Sequence, residues 1–156
     1  MSRDRCASDR LRRGFLLGAV SLFLAPAARG QQRDLPAIVQ PERPTREGFM
    51  RRALEMRRIS VERGDQAYGA VIVKDGRIVG EGISAVITAN DPTAHAEMQG
   101  IRDAARRLGM RDLSGCEMYG TSRACPMCEA GAYWARISRL YYGEGIVDAG
   151  APRLSR

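Results

Sequence analysis

The sequence predicts an α/β fold: a mixed sheet of four to five strands with helices on both faces. Three observations predict it. Between Thr45 and Gly143, segments with helical apolar spacing alternate with short apolar runs of strand length, in the order αββαβαβ. Asp75-Gly76 joins the first two strand-like runs as a hairpin. After that hairpin, successive strands connect only through helices, as parallel neighbours require. The 156 residues suffice for one domain with a real core, and 44% hydrophobic with 28% charged residues excludes a disordered or fibrous chain. No apolar run reaches the roughly 18–20 residues that cross a bilayer as a helix.

The first thirty residues stand apart from this fold. Basic residues up to Arg13 precede an apolar stretch, residues 14–25, and then the small-residue run Pro26-Ala27-Ala28-Arg29-Gly30. A charged start, a short apolar middle and a small-residue end make a secretory signal peptide. Arg12-Arg13-Gly14-Phe15-Leu16 resembles the twin-arginine export signal, with Leu11 where Ser or Thr is usual. Residues 1–30 are therefore expected to direct export to the periplasm without a stable membrane anchor; a cytoplasmic location is the alternative. Residues 31–44, carrying Pro36, Pro41 and Pro44, are expected to form an extended linker, and residues 45–156 the domain. The formal charge of +7 falls with the leader, which holds six Arg and two Asp, leaving 19 basic against 16 acidic residues, or +3. Of the 25 basic residues only Lys74 is a lysine. So mild a balance argues against a nucleic-acid partner.

Within the domain, Thr45 is the expected N-cap of a helix whose apolar stripe is Phe49, Met50, Ala53, Leu54, Met56, Ile59 and Val61, ended by Gly64. Arg51, Arg52, Arg57, Arg58 and Arg63 read as its solvated face. Residues 68–74 and 77–83 are the hairpin strands, and residues 84–90 a loop. Asp91-Pro92 reads as an N-cap with proline at the first helical position, opening a helix to about Leu108 with Met98, Ile101, Ala104 and Ala105 on one stripe and Gly109 as its stop. Residues 116–121 form a strand, 125–135 a helix and 139–143 a strand. The last dozen residues carry little signal.

Two features carry chemistry. His95-Ala96-Glu97 lies early in the second helix, and Cys125-Pro126-Met127-Cys128 opens the third directly after a strand. Two thiols three positions apart plus an imidazole make a zinc set, and three protein ligands leave a fourth position for water. Helix N-termini favour thiolates. Zinc would lower the pKa of bound water, and Glu97 is placed to move its protons. Residues i and i+2 of a helix point about 200° apart, so His95 and Glu97 share a site only at a helix end, where the Asp91-Pro92 start puts them.

These residues resemble the zinc-dependent cytidine and deoxycytidylate deaminase superfamily, whose mark is H-x-E followed by P-C-x-x-C. The resemblance runs from about Thr45 to Gly143. Asn90-Asp91-Pro92-Thr93-Ala94-His95-Ala96-Glu97, Cys125-Pro126-Met127-Cys128 with Tyr133-Trp134-Ala135-Arg136, and Gly69-Ala70-Val71-Ile72-Val73-Lys74-Asp75-Gly76 are most similar to the bacterial guanine-deaminase branch. It implies a three-layer α/β/α cytidine-deaminase-like fold, Zn(2+) held by His95, Cys125 and Cys128, and hydrolytic deamination of a small nucleobase or nucleoside. Activated water would attack the amino-bearing ring carbon while Glu97 shuttles protons. It also implies substrate contacts from Ser84, Tyr68 and Ala96, and a homo-oligomer. The chain departs from the pattern at Arg123-Ala124, where Glu-Pro is usual, at Ser84, where the branch has a base-contacting Asn, and at Tyr68, where Phe or Val is common. By the same resemblance, the chain stops at Arg156, before the segment bearing a fifth strand and further specificity residues.

Other readings stay open on the sequence. A tRNA adenosine deaminase shares the Asp91–Glu97 run. Cys-x-x-Cys at a helix start also describes thiol–disulfide oxidoreductases, although His95 and Glu97 would then lack a role. A deaminase-like chain without activity, or a structural zinc site with Cys116 as fourth ligand, completes the set. Cys116 reads better as a buried strand residue, and Trp134 as helix packing before base stacking.

Overall fold

A computed structural model describes residues 37–154, so the expected signal peptide at residues 1–30 lies outside the described residues. The elements are α1 (Arg46–Glu62), β1 (Gly69–Lys74), β2 (Arg77–Ile83), α2 (Ala96–Leu108), β3 (Glu117–Gly120), α3 (Pro126–Trp134), β4 (Arg139–Tyr142) and β5 (Val147–Gly150). The strands form one sheet in the order β2-β1-β3-β4-β5. Only β3 and β4 pair in parallel; the other three pairs are antiparallel. Among the described residues no helix is long and apolar enough to cross a membrane.

Strand alternation builds the three layers. Val71, Val73, Tyr119 and Tyr141 point to one face and pack with Phe49, Met50, Ala53 and Met56 of α1. Ile72, Met118 and Leu140 point to the other, where Ile101 and Ala104 of α2 and Ala132 of α3 cover them. Cys116, expected as a buried strand residue, is fully buried in this second cluster but stands just before β3.

The hairpin forms as expected. Asp75 and Gly76 both have positive φ, 49° and 71°, the backbone of a type I′ turn whose twist matches the strands it joins. Thr45 caps α1, its hydroxyl accepting from the Gly48 N–H at 3.2 Å. The helix surface differs from expectation in two places: Val61 is exposed, and Arg52 is buried, its guanidinium 2.6 Å from the Glu81 carboxylate.

Three boundaries are corrected. The second helix does not begin at Asp91-Pro92. Asp91 instead closes a tight turn, its carboxylate accepting from the Thr93 N–H at 2.8 Å and the Thr93 hydroxyl at 2.7 Å, and α2 starts at Ala96 with His95 as N-cap. The side chain that looks like a helix cap satisfies a turn instead. A fifth strand, within the expected four to five but placed beyond the chain by the resemblance, is present as β5. Its residues are largely exposed and show no alternation, so it left no apolar signal; pairing to β4 and a 3.0 Å Arg139–Asp148 ion pair place it. Part of the expected linker is fastened to the domain. Ile38 packs on the α1-side core, and the Gln40 amide bonds both the N–H and the carbonyl of Ile78, each at 2.8 Å. One side chain thereby acts as a short strand on the free edge of β2.

Candidate metal centre

Glycine on β2 sets the position of α2. A Cβ on Gly82 would lie 2.0 Å from the Ala96 carbonyl oxygen, and one on Gly80 2.7 Å from the Ala104 Cβ. The helix therefore rests directly on the strand backbone, and its first turn is brought to the end of the sheet where β3 finishes and α3 begins.

Two helix N-caps meet there. His95 caps α2 with extended backbone (φ −64°, ψ 153°) and Cys125 caps α3 likewise (φ −71°, ψ 168°). Neither side chain bonds its own helix, so both are free to point between the helices. Pro126 follows at the first helical position, where a missing N–H costs nothing. The extended N-cap also solves the i, i+2 problem: His95 is outside the helix, so Glu97 turns to the same side from its first turn.

The imidazole Nδ1 of His95 lies 3.6 Å from the Cys125 Sγ and 3.6 Å from the Cys128 Sγ. The three donor atoms all fall within 4.8 Å of one another. Zinc bonds of about 2.3 Å to sulfur and roughly 2.0–2.1 Å to nitrogen, at the tetrahedral angle, place N and S about 3.6 Å apart. The donor set therefore fits zinc in both chemistry and spacing. Cys116 is not part of this group, which removes the four-ligand structural reading.

Glu97 sits behind the donors, 6% exposed, with Oε2 3.6 Å from the Cys128 Sγ. Burial raises its pKa above the ordinary carboxyl value, against smaller lowering contributions from its own backbone N–H and Cys128. Burial, and next the Glu97 charge, push the Cys128 thiol far up. A divalent cation held between the two sulfurs and the imidazole supplies the charge that makes such a thiol a ligand.

The expected substrate contacts are differently placed. Ser84 is buried, and its hydroxyl donates to the Asp65 Oδ1 at 2.7 Å rather than standing free for a base. Ala96 is fully buried against β2, while Tyr68 is 44% exposed at the start of β1. Trp134 is 73% exposed, its ring edge-on to Tyr133, so helix packing does not describe it. The sequence reading missed Asp65, which accepts five hydrogen bonds: from Ser84 Oγ, from the Gln66, Ile87 and Thr88 N–H groups, and from Thr88 Oγ1. It pins the loop between β2 and His95, which an Ala85 N–H to Ala94 carbonyl bond also closes at 2.9 Å. A lone Asp after Gly64 gives no motif by which to find it. A groove of about 700 Å³ between residues 39–43 and the start of α1 contains none of these groups.

Fold and site together define a zinc-dependent deaminase domain, the class of hydrolases that cleave a C–N bond to an amino group. Residues 43–144 match the family model of the cytidine and deoxycytidylate deaminase zinc-binding region, and the chain belongs to that family. It is 44% identical over 104 residues to the guanine deaminase of Bacillus subtilis (strain 168), covering 66% of this chain and 67% of the relative. It is 39% identical over 97 residues to a tRNA-specific adenosine deaminase of Aquifex aeolicus (strain VF5), covering 62% and 64%. The X-ray structure of the B. subtilis guanine deaminase superposes with a TM-score of 0.62 over 64% of each chain. The chain thus spans about two thirds of the length of the curated relatives it matches.

Proposed function

We propose that this chain is a zinc-dependent hydrolytic deaminase of a small nucleobase or nucleoside, with guanine- and cytosine-type amino heterocycles as its substrate class. One observation carries the reading: the buried Glu97 carboxylate stands against a three-donor set that leaves a fourth position open. His95, Cys125 and Cys128 would hold the zinc, which when bound supplies Lewis acidity and brings water toward ionisation near neutral pH. Glu97 would accept the proton from that water and deliver it to the ring nitrogen and to the departing ammonia. Tyr68 would contact the base, while Ala96, buried against β2, and Ser84, bound to Asp65, would shape the site through the start of α2 and the loop that Asp65 anchors. The 44% identity to a guanine deaminase supports a free base as substrate.

A tRNA adenosine deaminase is the second reading, supported by the Aquifex relative. The +3 balance beyond residue 30 offers a polyanion little footprint. Residues 1–30 would export the folded chain, so that Cys125 and Cys128 take up zinc before meeting an oxidising compartment. Arg12→Lys/Arg13→Lys should abolish export, and unchanged export of that variant would refute this part. A homo-oligomer is part of the reading, checked by sedimentation equilibrium. The deciding experiment measures ammonia release from guanine, cytosine, adenine, their nucleosides and a tRNA anticodon stem-loop. Turnover of a free base or nucleoside supports the proposal; turnover of the stem-loop alone, or of nothing by zinc-loaded protein, overturns it.

A further inference from the structure

The opening of the site beside Glu97 carries a positive charge that metal holding and proton transfer do not use. A partly open cavity of about 40 Å³ reaches Glu97 and is walled by Ser122, Arg123, Glu129 and Tyr142. Its wall runs on through Ala124 to Cys125, so it is part of the metal centre rather than a second site. Thr121 fixes the start of this loop to β1: its N–H donates to the Gly69 carbonyl at 3.0 Å, and its hydroxyl accepts from the Gly69 N–H at 3.1 Å. Cys125 fixes the other end as N-cap of α3. The segment between them is short, so the backbone of Arg123 is held at the cavity wall.

Arg123 stands where related chains usually carry Glu, so the charge of this wall is reversed. Arg52, Arg58, Arg107, Arg136 and Arg139 each hold a carboxylate. Among the described residues no carboxylate lies within ion-pair distance of Arg123. Glu129, the other acidic wall residue besides Glu97, accepts instead from the Arg153 N–H through Oε1 at 3.1 Å. At roughly 10–15 Å³ for each water-sized position, a cavity of about 40 Å³ holds about three non-hydrogen atoms, the number in a carboxylate. A ribose does not fit between Glu97 and Arg123. A group that reaches Arg123 from a ring facing Glu97 is therefore attached to the ring itself. A guanidinium binds a planar oxyanion through two N–H groups. Water screens such a pair on an open surface, whereas a bound ring covers this opening and strengthens it.

We propose that Arg123 makes the site select amino heterocycles bearing a carboxylate on the ring, and that its guanidinium takes the anionic oxygens while the amino-bearing carbon faces the metal donors. This rests on the deaminase reading. The test uses the full chain loaded with zinc and compares 5-carboxycytosine and 6-carboxycytosine with the matching uncharged carboxamides. For at least one ring position kcat/KM should favour the carboxylate about ten-fold, mostly through KM. Arg123→Gln should retain zinc and bring that ratio to about one. Equal kcat/KM for carboxylate and carboxamide in the wild type, or an unchanged ratio in Arg123→Gln, overturns the proposal. A preference for cytidine 5′-monophosphate over cytidine, with none for the ring carboxylates, also overturns it, because the anion then sits on the ribose. If nothing is turned over, the deaminase reading fails, and calorimetric binding of the two carboxycytosines still decides the charge selection: tighter binding to wild type than to Arg123→Gln supports it, and equal binding overturns it.

Discussion

His95 and Cys125 cap two different helices and aim their side chains at each other, Nδ1 to Sγ at 3.6 Å. Thirty residues of sequence separate them. Their meeting depends on α2 lying flat on β2 and on α3 starting at the end of β3. One zinc per chain is expected in purified protein, with Cys128→Ser binding substoichiometrically by elemental analysis. Because metal binding is coupled to folding, chelation should also lower the melting temperature of the wild type and leave that of Cys128→Ser almost unmoved.

Glu97→Gln separates metal holding from proton transfer. The variant keeps the side-chain shape and should retain its zinc, because Glu97 is not one of the three donors. Ammonia release should fall by about 10²–10⁴, the range for a positioned acid–base group. Activity within a few-fold of wild type would remove Glu97 from the chemistry.

Gly82→Ala should weaken zinc binding from a distance. The new Cβ would lie 2.0 Å from the Ala96 carbonyl oxygen, so α2 must lift from the strand and carry His95 with it. Overpacking of this kind costs about 1–3 kcal/mol. Gly145→Ala, with nothing within 4 Å of its Cβ, is the control expected to match wild type in both melting temperature and zinc affinity.

Asp65 should make the fold acid-sensitive. Burial alone would raise its carboxyl, but the Thr88 N–H, the Ser84 hydroxyl, the Gln66 N–H and the Thr88 hydroxyl together outweigh it and hold the pKa well below the ordinary 3.8. A depressed carboxyl stabilises the fold fully above its unfolded value, and that stabilisation is lost as pH falls below about 3.8 toward the folded one. Asp65→Ala should cost on the order of 3 kcal/mol at neutral pH, since it orphans several donors at once. Asp65→Asn should flatten the acid limb of a urea-denaturation series; an unchanged limb would show that other carboxylates control it.

The buried Arg52–Glu81 pair should be costlier to halve than to remove. Burial raises the Glu81 carboxyl despite Arg52 beside it, and its Oε2 has no hydrogen-bond partner. Arg52→Met leaves that carboxylate uncompensated and should cost about 3–5 kcal/mol, whereas Arg52→Met/Glu81→Leu should recover much of the loss. A double variant no more stable than Arg52→Met would refute the coupling.

Legibility followed the range of each signal. Thr45, Asp75-Gly76 and Gly109 carry local signals, and each stands where the sequence places it, as N-cap, hairpin turn and left-handed helix end. Asp91 carries an equally local signal that two structures share, a cap and a turn, and the turn formed. Arg52 looks like any other solvated arginine until Glu81, twenty-nine residues later, comes to meet it.

By itself the sequence determined the alternation of helix and strand, the side chains that fit zinc and the carboxylate beside them, because residue type and short spacing encode both. Tertiary structure alone decided that β5 adds to the edge of the sheet, that Gln40 clamps the edge of β2, and that Ser84 is bound to Asp65. Gln40 with Ile78 and Ser84 with Asp65 join residues far apart in the chain through single polar side chains, and β5 pairs with its neighbour through backbone alone, so none of them leaves a periodic trace along the sequence.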